Sequence, residues 1–352
     1  MLDINSSEIL KFHKLLSEAS KTVIVTHMKP DGDALGCSIS MYSYIVSNGG
    51  SAKIVLPHRY PSNLDFLTSG EISEDICIHE ETSEEATEII AAADLIICLD
   101  FNAFHRTDRL ESALACSSAA KVLIDHHLNP DRECFDVTFS ETEVSSASEL
   151  LFHVLMEMPE TEHQACKLPS LALNALMTGM TTDTNNFANS VYPSTLSMAS
   201  ALIEAGADRD MILSNIYNRF GENRLRLLGL ILKDLMKVTD FGVAYIILDQ
   251  ETLQKYDVAE GDTEGFVNMP LSIDNVRMSL LLKEDKDRIR VSIRSKKGTS
   301  ANRCARLYFN GGGHENAAGG RLNIPVDISD ISQAGEYIER NTLRFITEEN
   351  EA

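Results

Sequence analysis

Asp125, His126 and His127 close an apolar run, Lys121-Val-Leu-Ile, and three other places in the chain carry side chains of the same chemical kind. Residues 25–36, VTHMKPDGDALG, set His27, Asp31 and Asp33 within seven residues. Leu95-Ile-Ile-Cys-Leu ends in Asp100, and Thr178-Gly-Met-Thr-Thr ends in Asp183. Asp125 aside, the inventory is four carboxylates and two or three imidazoles, with no thiolate. Oxygen-rich ligation with a few nitrogens favours Mn²⁺ or Mg²⁺ over structural zinc. Six ligand side chains are too many for one ion that must also hold water and substrate. They suit two ions roughly 4 Å apart that share a bridging carboxylate, the arrangement used for in-line displacement at phosphorus. His126 and His127 are adjacent, so their side chains diverge: one is read as a ligand and its neighbour as facing the substrate. A single aspartate at a strand end is ordinarily a helix cap or turn former. It is the joint occurrence of four such places that points to metal.

These residues need a scaffold that brings them together. The first half of the chain alternates strand-like runs (21–26, 52–56, 75–78, 95–100, 121–125) with helix-like ones (5–19, 34–48, 83–92, 108–116, 145–157). Such alternation implies βαβ units and a mainly parallel sheet with helices on both faces. All strands of a parallel sheet end on one edge, where open α/β sheets bind ligands. His27, Asp100 and the 125–127 group follow strands and can converge there. Residues 168–236 read as almost continuously helical. A second, smaller α/β pattern opens at Gly242-Val-Ala-Tyr-Ile-Ile-Leu, with strands near 276–283 and 289–294 and helices near 299–309 and 328–347. The expected organisation is a first domain over 1–185, a helical connector over 186–238 and a second domain over 239–352.

The second pattern has its own chemistry. Residues 310–320, NGGGHENAAGG, contain Gly312, Gly313 and His314; glycines let backbone N–H groups approach an anion, and the imidazole can donate to phosphate. In 291–298, VSIRSKKG, Arg294 and Ser295 offer a guanidinium fork and a hydroxyl. Both lie in or beside a basic stretch, Lys283 to Arg306, where nine cations, Lys286 among them, face three acids, including Asp287.

The whole chain is acidic: 352 residues carry 31 Lys plus Arg against 53 Asp plus Glu, a net charge of −22. That charge disfavours long duplex nucleic acid and membrane surfaces, while the local basic face suits a small phosphorylated ligand. No run approaches the ~18 apolar residues of a membrane span. The first residues lack the basic and apolar regions of a signal peptide, so a cytoplasmic protein is expected. Seven cysteines, odd in number and without C-x-x-C spacing, read as reduced packed thiols.

The order His27-x₃-Asp31-x-Asp33, Asp100, Asp125-His126-His127, Asp183 resembles the four motifs of the DHH family of phosphoesterases. The downstream Gly-Gly-Gly-His, with Arg294-Ser295 before it, is similar to the first type of DHH-associated domain. Asp100 departs from the pattern in being followed by Phe-Asn-Ala-Phe-His instead of small polar residues. Size and two-domain plan most resemble the stand-alone oligoribonuclease/pAp phosphatases, the nanoRNases. The resemblance implies that His27, Asp31 and Asp100 hold one Mn²⁺ and that Asp33, Asp100, His126 and Asp183 hold the other. It implies that His127 contacts the scissile phosphate, with Asp125 orienting His126. Arg294, Ser295, Gly312, Gly313 and His314 would grip a second phosphate, and Arg106 would be a further phosphate contact.

The expected activity is Mn²⁺-dependent (or Mg²⁺-dependent) hydrolysis of very short oligoribonucleotides to monophosphates, and of 3′-phosphoadenosine 5′-phosphate to AMP. Hydrolysis of a cyclic or linear dinucleotide is the nearest alternative, and a catalytically silent nucleotide-binding protein the next. A family II pyrophosphatase fits less well, lacking the Gly-rich element. A homodimer is compatible with the sequence.

Overall fold

In the computed structural model, which describes residues 4–218, 221–259, 261–285 and 288–351, the chain divides into two units, Met1–Arg219 and Phe220–Ala352. Lys286 and Asp287 of the basic stretch, and Arg219 and Phe220 within the helical one, lie outside the described residues.

In the first unit, β1 (Thr22–Thr26), β2 (Ala52–Leu56), β3 (Ile76–Ile78), β4 (Leu95–Leu99), β5 (Ala120–Asp125) and β6 (Val137–Ser140) form one sheet in the order β3-β2-β1-β4-β5-β6. Every pairing is parallel. The alternation of side chains along these strands sends two apolar sets to opposite faces. Ile24, Ile54, Leu99 and Ile124 pack with α1 (Ser6–Glu18), α2 (Gly32–Ser47), α5 (Ala147–Met156) and α6 (Ser170–Asp183). Val23, Val25, Val55, Cys98 and Leu123 pack with α3 (Ser83–Ala91) and α4 (Glu111–Cys116). Each fully buried Val, Ile or Leu stabilises the fold by roughly 1.5–3 kcal/mol relative to exposure. The order reverses between β1 and β4, so the crevice outside their carboxyl ends is the topological switch point of the sheet.

The helical stretch is interrupted. After α6 the backbone takes positive φ at Asn185, Asn186, Phe187 and Ser190, and Pro193 then opens α7 (Pro193–Glu204) at its first position. Met198 and Leu202 of α7, and Ile212 and Ile216 of α8 (Arg209–Tyr217), join the core of the first unit. Leu227 of α9 (Glu222–Leu230) packs instead with Ile246, Leu248 and Phe266 in the second. By packing, 186–218 of this stretch goes with the first unit and 221–238 with the second.

The second unit carries a mixed sheet in the order β11-β12-β10-β9-β8-β7, from β7 (Lys237–Val238), β8 (Val243–Leu248), β9 (Met278–Glu284), β10 (Arg288–Ser295), β11 (Gly312–Gly313) and β12 (Ala317–Asn323). A short α10 (Gln250–Lys255) follows β8; α11 (Ala301–Tyr308) and α12 (Ala334–Glu351) cover one face through Cys304, Ala305, Ile338 and Phe345. α12 starts later than the 328 expected. Residues before it make a tight turn, Ile331–Gln333, capped by the Asp330 side chain. Among the described residues, no helix is long and apolar enough to cross a membrane.

Candidate metal centre

The loop leaving β1 starts the site. His27 follows the strand directly, and its Nδ1 lies 2.9 Å from the Met28 carbonyl. That contact turns Nε2 toward Asp100 Oδ2 at 3.3 Å and Asp31 Oδ1 at 3.8 Å. Asp31 caps α2: its Oδ1 accepts from the N–H groups of Asp33 at 3.0 Å and Ala34 at 3.1 Å. The oxygen that caps the helix is the same one that approaches His27. Asp33, in the first turn of α2, is fully buried, and its two oxygens accept from the N–H groups of Ala147 (2.6 Å) and Ser148 (2.9 Å) at the start of α5.

Asp100 comes next along the sheet. Its backbone sits at φ +62°, rare for a residue with a side chain, and its N–H donates to the Ile124 carbonyl at 3.1 Å. The carboxylate is thereby placed between His27 and His126, whose Nε2 is 3.5 Å from Asp100 Oδ1. The residues after Asp100, atypical in the sequence, have structural work. Phe101 is buried in the core, while Asn102 donates from Nδ2 to the Leu128 carbonyl (2.8 Å) and accepts the Asp131 N–H on its own carbonyl (2.8 Å). Asn102 thus clamps the loop after β4 to the loop after β5. Arg106 lies in the turn that follows, and its carbonyl accepts the Met28 N–H at 2.7 Å.

At the end of β5, His126 Nε2 also lies 3.4 Å from Asp183 Oδ2, at the last residue of α6. Asp125 does not orient His126. Its Oδ1 meets Nδ1 of His127 at 2.7 Å, because residues two apart on extended backbone share a side and adjacent ones do not. Two glycines bring the helices close enough. A Cβ on Gly36 would stand 2.5 Å from the Ala175 carbonyl, and one on Gly179 would stand 2.6 Å from Asp33 Oδ1.

Three overlapping groups of ligand atoms result: His27, Asp31 and Asp100; Asp33, His126 and Asp183; and Asp100, His126 and His127. The charges show what is wanting. Burial pushes the carboxyls of Asp33 and Asp183 above the usual range, reinforced for Asp33 by Asp100 and for Asp183 by Asp33 and Asp100. Burial would also push Asp100 up, but the His126 and His27 rings hold it well below. Burial opposes charge on the two rings, yet Asp100 and the other acids outweigh it, so His27 is pushed up to about 9 and His126 to about 10. Without a cation, protons on imidazoles balance the acids. Among the described residues, Asp100 Oδ1 is buried with no hydrogen-bond partner. A buried carboxylate oxygen without a donor is costly, and a divalent cation is the group that this donor set fits. Four carboxylates (Asp31, Asp33, Asp100 and Asp183) balance the charge of two such ions.

In the second unit, Arg294 is half-buried, its Nη1 donating to the Ile293 carbonyl at 3.0 Å. Among the described residues no carboxylate pairs with it, and burial holds its pKa below the usual arginine value. Ser295 does not offer its hydroxyl outward. It is buried, its Oγ donating to the Thr299 carbonyl (2.6 Å) and accepting from Asn316 Nδ2 (3.0 Å), because strand alternation turns it opposite to Arg294. Gly312 and Gly313 form β11 instead of an open loop. Glycine is required there by close approach, since a Cβ on Gly313, at φ +146°, would meet the Ala317 carbonyl at 2.6 Å. His314 follows in the turn, exposed, its N–H donating to the Ala317 carbonyl at 2.8 Å.

The first unit matches the DHH family, N-terminal domain, over residues 21–180, and the second matches the DHHA1 domain over residues 240–338. The chain belongs to the DHH family. It is a metal-dependent phosphoesterase. It is 28% identical over 323 residues to the probable bifunctional oligoribonuclease and PAP phosphatase NrnA of Streptococcus mutans, covering 90% of this chain and 94% of that protein. The bifunctional oligoribonuclease and PAP phosphatase NrnA of Bacillus subtilis is 26% identical over 304 residues, covering 85% and 88%. The crystal structure of an exopolyphosphatase-related protein from Bacteroides fragilis superposes with a TM-score of 0.91 at 36% identity, covering 99% of each chain.

Asn102, Gly36 and Gly179 are the parts of this DHH site that motif reading passes over. The signal for the glycines was present: small residues inside two helix-forming runs are unfavourable unless another backbone or side chain must come close.

Proposed function

We propose that the protein hydrolyses very short oligoribonucleotides to nucleoside monophosphates and 3′-phosphoadenosine 5′-phosphate to AMP, with Mn²⁺ as the preferred ion, in the cytoplasm. The observation that carries the reading is the convergence of His27, Asp31, Asp33, Asp100, His126 and Asp183 at the switch point of the sheet, with His127 beside them. The similarity to proteins named as oligoribonuclease and PAP phosphatase supports the substrate class. When bound, divalent ions supply Lewis-acid activation of water and stabilisation of charge at phosphorus.

The chain's own groups do the rest. His27, Asp31 and Asp100 would hold one ion, and Asp33, Asp100, His126 and Asp183 the other, Asp100 serving both. Asp125 would fix the orientation of the His127 ring through Nδ1, with Nε2 as the atom assigned to the scissile phosphate. In the second unit, Arg294 and His314 would bind a second phosphate, while Ser295 shapes the strand end behind them.

The test is turnover by purified protein with Mn²⁺ on di- to pentanucleotides, a ~30-mer, pAp, cyclic dinucleotides and pyrophosphate. Rates should be highest on dinucleotides to trinucleotides and on pAp, and fall steeply with length, since a long strand must follow a chain of net charge −22. Equal cleavage of a trimer and a ~30-mer at low salt, or hydrolysis of pyrophosphate alone, would overturn the assignment.

A further inference from the structure

Behind the ligands lies a buried acid that the proposed chemistry leaves unused. Glu149, in the first turn of α5, is wholly buried. Its Oε2 accepts three hydrogen bonds, from Ser145 N–H at 2.9 Å, Ser145 Oγ–H at 2.5 Å and Thr195 Oγ1–H at 2.6 Å, the last reaching across from α7. Its own N–H donates to Oγ of Ser146, the cap of α5, at 3.0 Å. Thr195 is fixed in turn by the Tyr192 N–H, 3.1 Å from its oxygen.

The two residues between Ser146 and Glu149 are Ala147 and Ser148, whose N–H groups hold the Asp33 carboxylate. One helical turn is therefore gripped by two buried carboxylates, Asp33 from the ligand side and Glu149 from behind. α6 closes the third side, since a Cβ on Gly179 would collide with Ser148 Oγ. A buried carboxylate stripped of its donors is costly, so neither acid tolerates a displacement of this turn. The position of Asp33 is consequently tied to Glu149, although the two side chains are not bonded to each other.

We propose that Glu149 is a positioning residue for the ion held by Asp33, His126 and Asp183, acting through the first turn of α5, and that it leaves the ion of His27, Asp31 and Asp100 unaffected. The inference rests on the two-ion reading above. It is tested on the full chain with Glu149→Ala, Glu149→Gln and Thr195→Val, by calorimetric titration with Mn²⁺ and by anomalous density in Mn²⁺-soaked crystals.

Partners that orient ligands typically change affinity by about 10–100-fold. Glu149→Ala and Thr195→Val should weaken one of the two binding events by at least about tenfold, with the peak beside Asp33 losing occupancy and the peak beside Asp31 unchanged. Glu149→Gln, whose amide oxygen can accept from the same donors, should restore both. Should Glu149→Ala fail to fold, Thr195→Val, which removes one donor at constant shape, carries the test. Equal weakening of both events, or a lower melting temperature with both affinities intact, would show a merely structural role and overturn the proposal. A wild-type chain that takes up no Mn²⁺ at all would instead bring down the two-ion reading itself.

Discussion

Asp125 Oδ1 lies 2.7 Å from Nδ1 of His127, and that one contact assigns the two histidines of the motif to different work. His126, turned the other way, presents Nε2 to Asp100 and Asp183. His127 is held by a carboxylate that is itself wholly buried.

Asp125→Asn should therefore damage turnover more than ion binding. An amide is a weaker acceptor for Nδ1–H than a carboxylate and holds the ring less firmly, so kcat should fall about 10–100-fold, while Mn²⁺ affinity and KM change little. Loss of Mn²⁺ binding in this variant would mean that Asp125 supports His126 after all.

Asp100→Ala removes a carboxylate that approaches both His27 and His126. Activity should disappear on every substrate, and titration with Mn²⁺ should lose both binding events together. Near wild-type turnover in Mn²⁺ would end the shared-ligand arrangement.

The raised histidines give the site a pH dependence whose sign can be worked out. In the ion-free protein, burial opposes charge on His27 and His126, but Asp100 and its neighbours hold them at about 9 and about 10, above their ordinary 6.5. Raised folded-state values stabilise the ion-free fold fully below about pH 6.5, and the benefit is lost as pH rises toward 9–10. A cation needs the unprotonated ring, so its binding must expel protons. Mn²⁺ affinity should rise by about tenfold per pH unit between pH 6 and 8, and calorimetry in buffers of different ionisation enthalpy should show proton release. An affinity flat over that range would contradict the account.

Arg294→Ala and His314→Ala test the division of roles between the units. Both ions should remain bound. A charge-assisted bond to phosphate is worth roughly 1.5–3 kcal/mol, so kcat/KM on pAp or a dinucleotide should drop about tenfold to a hundredfold. Hydrolysis of p-nitrophenyl phosphate, which has no second phosphate, should hardly change. Parallel losses on both substrates would place these residues in the fold or the metal site instead.

What was legible in the sequence follows from how each feature is encoded. Strand identity was readable because β-branched runs end abruptly in Asp or His, and a parallel sheet gathers such ends at one edge whatever the strand order. The order itself, with its reversal between β1 and β4, depends on crossovers that periodicity does not register. β6 was missed because Val137-Thr-Phe-Ser is too short to stand out from a loop. The pairing of Asp125 with His127, and the inward turn of the Ser295 hydroxyl, follow from strand alternation and could have been derived from it. The Asn102 clamp, by contrast, needs the loop after β5 to be in place before its amide has anything to bind. Glu149 was half visible: Ser146-Ala-Ser-Glu149 is a capping signature, but its reach to Ser145 and Thr195 is tertiary.

The scatter of the ligands along the chain, from His27 to Asp183, has a consequence for the order of events in the cell. Neither group of ligands exists on a contiguous peptide: each needs β1 or α2 beside a strand or helix translated much later. No short stretch of nascent chain could therefore assemble the proposed site, and Asp33, His126 and Asp183 could hold a cation together only after α6 has docked. Uptake of a divalent cation at that group would then report the fraction of chains in which α6 has docked.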